Sequence, residues 1–143
     1  MLVNIPSGWE PCTLKLVSGS SRFYAVTFVD TETPPQPVPL SEVTNIVWLV
    51  LDNQNDIVIK KHLADNSNEI VITNASAGQA LITLPWQDTA PVQNQYGYTV
   101  GSTTLDKTYT HETRLYMSDG TQEVPGSFRG PFIVYHTGSY GVV

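Results

Sequence analysis

The residues from Tyr109 to Val134 leave little choice of local structure. Tyr109 to Met117 interleaves bulky or β-branched residues with polar ones, the pattern of a strand with one buried face. Asp119-Gly120 supplies a tight turn, because glycine takes a positive φ without steric cost. Gly130-Pro-Phe-Ile-Val134 closes the segment as another strand. Runs of the same kind recur upstream at Thr13–Val17, Arg22–Val29, Val43–Leu51, Ile57–His62, Glu69–Thr73 and Gln79–Leu84. No sustained helical periodicity interrupts them. Strands of similar length with turn punctuation predict an all-β fold, an antiparallel β-sandwich.

At 143 residues the chain suits one domain with a real core. That domain is expected over 12–134, with an N-terminal arm at 1–11 and a C-terminal tail at 135–143. Ile46-Val-Trp-Leu-Val-Leu51 is nearly continuous in apolar residues and reads as a central strand, with Trp48 in the core. Pro34, Pro35, Pro37 and Pro39 remove ladder donors and make 30–39 a stiff loop, either an arm for a partner or a plain connection. Pro85 to Ala90 suits one helical turn. Residues 91–106, with Tyr96-Gly-Tyr98, form a long loop or an insertion made to contact something.

Several functional classes are disfavoured. The net charge is −6, with 7 Lys and Arg in total, so no basic stripe exists to replace nucleic-acid counterions. Lys60-Lys61, the adjacent basic pair, reads as a solvated strand end. A lone cysteine, Cys12, rules out an intrachain disulfide and reads as a small buried hydrophobe. His62, His111 and His136 have no metal-pair spacing. Asp52-Asn-Gln-Asn-Asp56 lacks the glycine and distal glutamate of a calcium loop. Asp88 and Asp119 sit in turn contexts, where aspartate satisfies local backbone donors. There is no nucleophile elbow and no phosphate-cradling loop. The expectation is no enzyme, no cofactor, no metal and no nucleic-acid or membrane partner.

Charged residues make up 14% of the chain, against about a quarter in ordinary globular domains. Such a surface suits a protein buried against neighbours. Candidate interface residues are Trp9, Pro34, Pro35, Pro37, Trp86, Tyr96, Tyr98, Tyr135 and Tyr140. Trp9 and Trp86 lie near expected loops and serve either as interface anchors or as peripheral core.

The order of motifs resembles a phage domain. Pro39-Leu-Ser-Glu-Val-Thr-Asn-Ile-Val-Trp-Leu-Val50 is similar to the strand entry of the domain that begins the upper baseplate proteins of some tailed phages. Asp56–His62, Ile70–Leu84, Trp86–Ala90, Tyr109–Gly120 and Gly130–Val134 resemble its later units in the same order. The resemblance spans roughly Leu14 to Val134. It implies an immunoglobulin-like sandwich serving as an assembly module, with no catalytic residues to carry over. Longer members continue into further parts, whereas this sequence stops at Val143, which suggests a small adaptor or a protein that decorates a larger assembly rather than direct host recognition.

The expected function is a non-enzymatic virion structural protein of the tail or baseplate. It would bind other virion proteins, form homo-oligomers within the particle, and be made in the host cytoplasm without a signal peptide. The alternatives are a capsid decoration protein and a carbohydrate- or receptor-binding module built on Trp9, Trp86, Tyr96 and Tyr98.

Overall fold

The computed structural model describes residues 2–4, 12–30, 34, 36–63, 68–123 and 129–138. Its ten strands are β1 (Leu2–Asn4), β2 (Leu14–Val17), β3 (Arg22–Thr27), β4 (Val43–Leu51), β5 (Ile57–His62), β6 (Ile70–Asn74), β7 (Gln79–Leu84), β8 (Lys107–Met117), β9 (Gln122–Glu123) and β10 (Arg129–Tyr135). A 3-10 turn, Trp86–Asp88, follows β7. The strands form two sheets, ordered β1-β3-β7-β6 and β2-β10-β8-β4-β5, with β9 paired to β8.

One hydrophobic cluster joins the inner faces and makes the fold a β-sandwich. The six-stranded sheet contributes Leu14, Leu16, Ile46, Trp48, Val50, Ile59, Leu115 and Phe132, and the four-stranded sheet contributes Tyr24, Val26, Ile70, Ile82 and Leu84. Alternation places these residues, since successive side chains leave a strand on opposite faces. β7 shows it as exposed Gln79, buried Ala80, half-buried Leu81 and buried Ile82.

The pairing is antiparallel apart from two ladders. β1 runs parallel to β3, with Leu2 opposite Phe23, and β2 runs parallel to β10, with Leu14 opposite Phe132. Both β1 and β2 lie at a sheet edge, and each reaches its partner by crossing between layers rather than through a hairpin. Residues 135–137 continue against the body: Ser18 N–H donates to Tyr135 O at 2.8 Å and Thr137 N–H to Ser102 O at 3.0 Å. The proline loop is closed at its base, where Asp30 N–H donates to Gln36 O at 2.9 Å and Val38 N–H to Phe28 O at 2.9 Å.

On the inner face of β8, His111 is fully buried opposite Gly130. Its Nε2–H donates to Cys12 O at 2.7 Å. Gly130 has φ +143°, and a Cβ there would stand 2.5 Å from that same carbonyl, so the close approach requires glycine. Cys12 is half-buried, and burial pushes its thiol pKa up. Burial also pulls the His111 pKa from 6.5 down to about 4, the Cys12 carbonyl bond opposing it in part. The folded chain therefore holds this imidazole neutral where the unfolded chain protonates it. Stability attributable to His111 is intact above pH 6.5 and falls as pH drops towards 4, by about 3 kcal/mol across that window. Urea unfolding at about pH 7 and about pH 4.5 measures this loss, and His111→Leu should remove most of the difference between the two.

Candidate functional site

Two features stand out once the sandwich is built: a buried ionic network between the sheets, and an uncharged outer sheet face.

The network begins on β5. A bulge between β4 and β5 pairs Val50 with Ile59 and Leu51 with Ile57, so Val58 and Ile59 are both buried. Lys61 shares the inward face with Ile59 and lies opposite Trp48. Only 1% of its side chain is exposed, so the expectation of a solvated strand end for Lys60-Lys61 fails at Lys61, while Lys60 is exposed. Its partner is Asp88, the last residue of the 3-10 turn, also 1% exposed, with Oδ2 2.6 Å from Lys61 Nζ. Asp88 was expected to serve its own turn. Its side chain instead reaches the opposite sheet, because Pro85 starts a turn that directs residue 88 inward.

The 91–106 loop encloses this pair. Lys61 Nζ donates to Tyr96 Oη at 3.0 Å, and that hydroxyl donates to Lys60 O at 2.6 Å. Gln95 Nε2 donates to Asp88 Oδ1 at 3.2 Å. Buried Asn94 pins the loop: its Nδ2 donates to Val58 O and Asp88 O, each at 3.1 Å, and its Oδ1 accepts from Tyr96 N–H at 2.9 Å and Tyr98 N–H at 3.1 Å. Gly101 lets the returning chain press against the same region, since a Cβ there would lie 2.0 Å from Thr89 O. Glu69 stands beside the pair, its Oε1 4.0 Å from Lys61 Nζ and its Oε2 accepting from His62 N–H at 3.1 Å.

Burial works against the Lys61 charge, but hydrogen bonds to Asp88 and Tyr96 outweigh it and hold the ammonium pKa above the ordinary lysine value. Burial lifts the Tyr96 hydroxyl pKa, with Lys61 pulling the other way. The long loop is thus tied into its own domain at Asn94 and Tyr96. No sequence signal marked the network, because its members come from β5, the turn after β7 and the loop beyond.

The outer face of the four-stranded sheet is the second feature. Ladder register sets Val71, Leu81 and Ala25 side by side, with Phe23 beside Thr83 in the next row. Phe23 is 41% exposed and Val71 43% exposed. Thr27 and Gln79 extend the face, so its described residues on these three strands carry no charge. The other sheet differs: its outer face carries Lys60, and an Arg114–Glu112 pair at 2.6 Å.

Of the expected interface residues, Trp86 is 43% exposed on the turn after β7, where its N–H donates to Ser21 Oγ at 3.0 Å. Pro34, Pro37 and Tyr135 are exposed, whereas Tyr96 and Tyr98 are half-buried. Trp9, Pro35 and Tyr140 lie outside the described residues. Phe23 and Val71 carry no sequence signal of their own, since each sits in an ordinary strand pattern. Among the described residues no group of three or more His, Cys, Asp and Glu side chains could hold a metal ion, and no helix is long and apolar enough to cross a membrane. No protein-family model matches the chain, and no curated protein matches it.

Proposed function

We propose that this chain is a non-enzymatic structural module of a tailed-phage particle, an immunoglobulin-like domain of the tail or baseplate that binds neighbouring subunits. The observation that carries the reading is the outer face of β3, β7 and β6, uncharged among the described residues, with Phe23 and Val71 exposed around Leu81. A face of this composition loses little by desolvation and gains from apolar contact, as the cores of protein interfaces do. The order of strand and turn motifs that resembles an upper baseplate domain supports the same assignment. On this reading the chain is made in the host cytoplasm and carried in the virion, in copies that follow the particle's symmetry.

Purified particles supply the test. The chain should copurify in a fixed ratio to tail proteins, measured by quantitative mass spectrometry. Phe23→Glu should drop out of particles while its unfolding free energy stays within about 0.5 kcal/mol of the wild type, because an exposed site carries little folding energy. A copy number that follows the major capsid protein would move the module to the shell as a decoration protein. Absence of the wild-type chain from particles would end the virion reading.

A further inference from the structure

The Lys61–Asp88 contact joins a nucleophile and an electrophile that differ from an amide by one molecule of water. Lys61 belongs to the six-stranded sheet, and Asp88 closes the turn leaving the four-stranded sheet. Their reacting groups are 2.6 Å apart and each side chain is 1% exposed. We propose that Lys61 and Asp88 condense within the folded chain to an isopeptide bond between Lys61 Nζ and Asp88 Cγ, covalently tying the two sheets together.

The groups needed for the step are in place. The ammonium proton passes across the 2.6 Å contact to Asp88 Oδ2, giving amine and carboxylic acid without exchange with solvent. The ionic pair is the resting form, and removal from water lowers the cost of reaching the neutral pair from it. The Lys61 nitrogen lone pair then forms a bond to Asp88 Cγ, and the carbonyl electrons move onto Oδ1, where the Gln95 N–H donor sits at 3.2 Å. The positively charged nitrogen gives a proton to Glu69, whose Oε1 lies 4.0 Å from it. Glu69 returns that proton to the Oδ2 hydroxyl as the Cγ–Oδ2 bond breaks and water departs. The products are one secondary amide, one water and an ionised Glu69, with no oxidant or co-reactant. Tyr96 Oη, accepting from Nζ at 3.0 Å and fixed to Lys60 O, limits the positions the nitrogen can take. Holding the amine and the acid as buried neighbours makes the condensation unimolecular, which is how an unactivated acid and amine can react here.

Intact mass spectrometry of the full-length chain under denaturing conditions tests the proposal. The wild type should be lighter than its sequence by one water. After cleavage at glutamates, the peptide 43–69 carrying Lys61 should be joined to the peptide 70–112 carrying Asp88. Lys61→Arg and Asp88→Ala should keep full mass. Asp88→Asn, condensing with loss of ammonia, should arrive at the same mass as the cross-linked wild type. Glu69→Gln should slow the reaction at least tenfold when conversion is followed after refolding. A wild-type chain at full sequence mass after prolonged folding, or a water loss mapped elsewhere, such as Asp119-Gly120, overturns the proposal and leaves the pair an ion pair.

Discussion

Asp88→Ala should lower folding stability by about 3–5 kcal/mol relative to the uncondensed chain in which Lys61 and Asp88 are still an ion pair, read as a fall in the urea midpoint, because it strands a buried lysine without its carboxylate. The Lys61 ammonium has its shortest polar contact, 2.6 Å, to Asp88, and only 1% of the side chain meets solvent. The remaining contacts are unequal replacements. Tyr96 Oη accepts one proton at 3.0 Å but carries no charge. Glu69 is a carboxylate, yet it lies 4.0 Å away and is 26% exposed, so its attraction is partly screened. A swing of Lys61 towards Glu69 would place the loss in the lower half of the range. The alanine also leaves a cavity where the carboxylate stood and removes one of the two acceptors of Gln95 Nε2. The double variant Lys61→Met/Asp88→Leu should be more stable than Asp88→Ala, since it leaves no charge in the interior. Equal stability of the two would mean that the Lys61 charge escapes to water and that the network is looser than its distances show.

The strands were legible in the sequence because alternation is local: β5, β7, β8 and β10 fall within two residues of the expected runs. Trp48 was legible for the same reason, lying in the longest apolar run of the chain. Lys61 was not, because a lysine on the inward face of a strand differs from a solvated strand end only by what lies opposite. What lies opposite is Asp88, which sits in the turn after β7 and shows its inward role only once the layers are assembled. The length of the 91–106 loop left open a plain connection or an insertion for a foreign contact, and Asn94 and Tyr96 direct it inward onto Val58, Lys60 and Lys61. The Phe23–Val71 face escaped notice because exposure in a strand is a property of layering, and alternation alone does not say which face is covered. The parallel β1 and β2 edges were equally invisible, since strand pattern does not encode direction of pairing.

Trp48→Ala should cost about 3–5 kcal/mol, the range for emptying a fully buried large aromatic site. Trp48 is entirely buried on the inward face of β4, flanked in the ladder by Lys61 and Thr113. It bridges the layers through Tyr24 of β3, whose ring centroid is 5.9 Å away. Within its own sheet it meets Phe132 edge-on at 5.8 Å and the His111 ring at 6.4 Å. Each aromatic contact adds to the area term, and the surrounding rings sit on strands whose ladders resist collapse into the void. Trp48→Phe should retain roughly half of the loss, because a smaller ring keeps part of the packing with Tyr24 and Phe132. A second effect follows from the neighbours. Opening the space beside His111 and Lys61 admits water, which eases protonation of the imidazole and weakens the grip on the ammonium. The alanine variant should therefore show a shallower loss of stability between about pH 6.5 and about pH 4 than the wild type, from a lower starting point. Unfolding free energies for both proteins across that range test the two effects together. An unchanged pH slope beside a large loss at neutral pH would mean that Trp48 fills volume without keeping the His111 site dry.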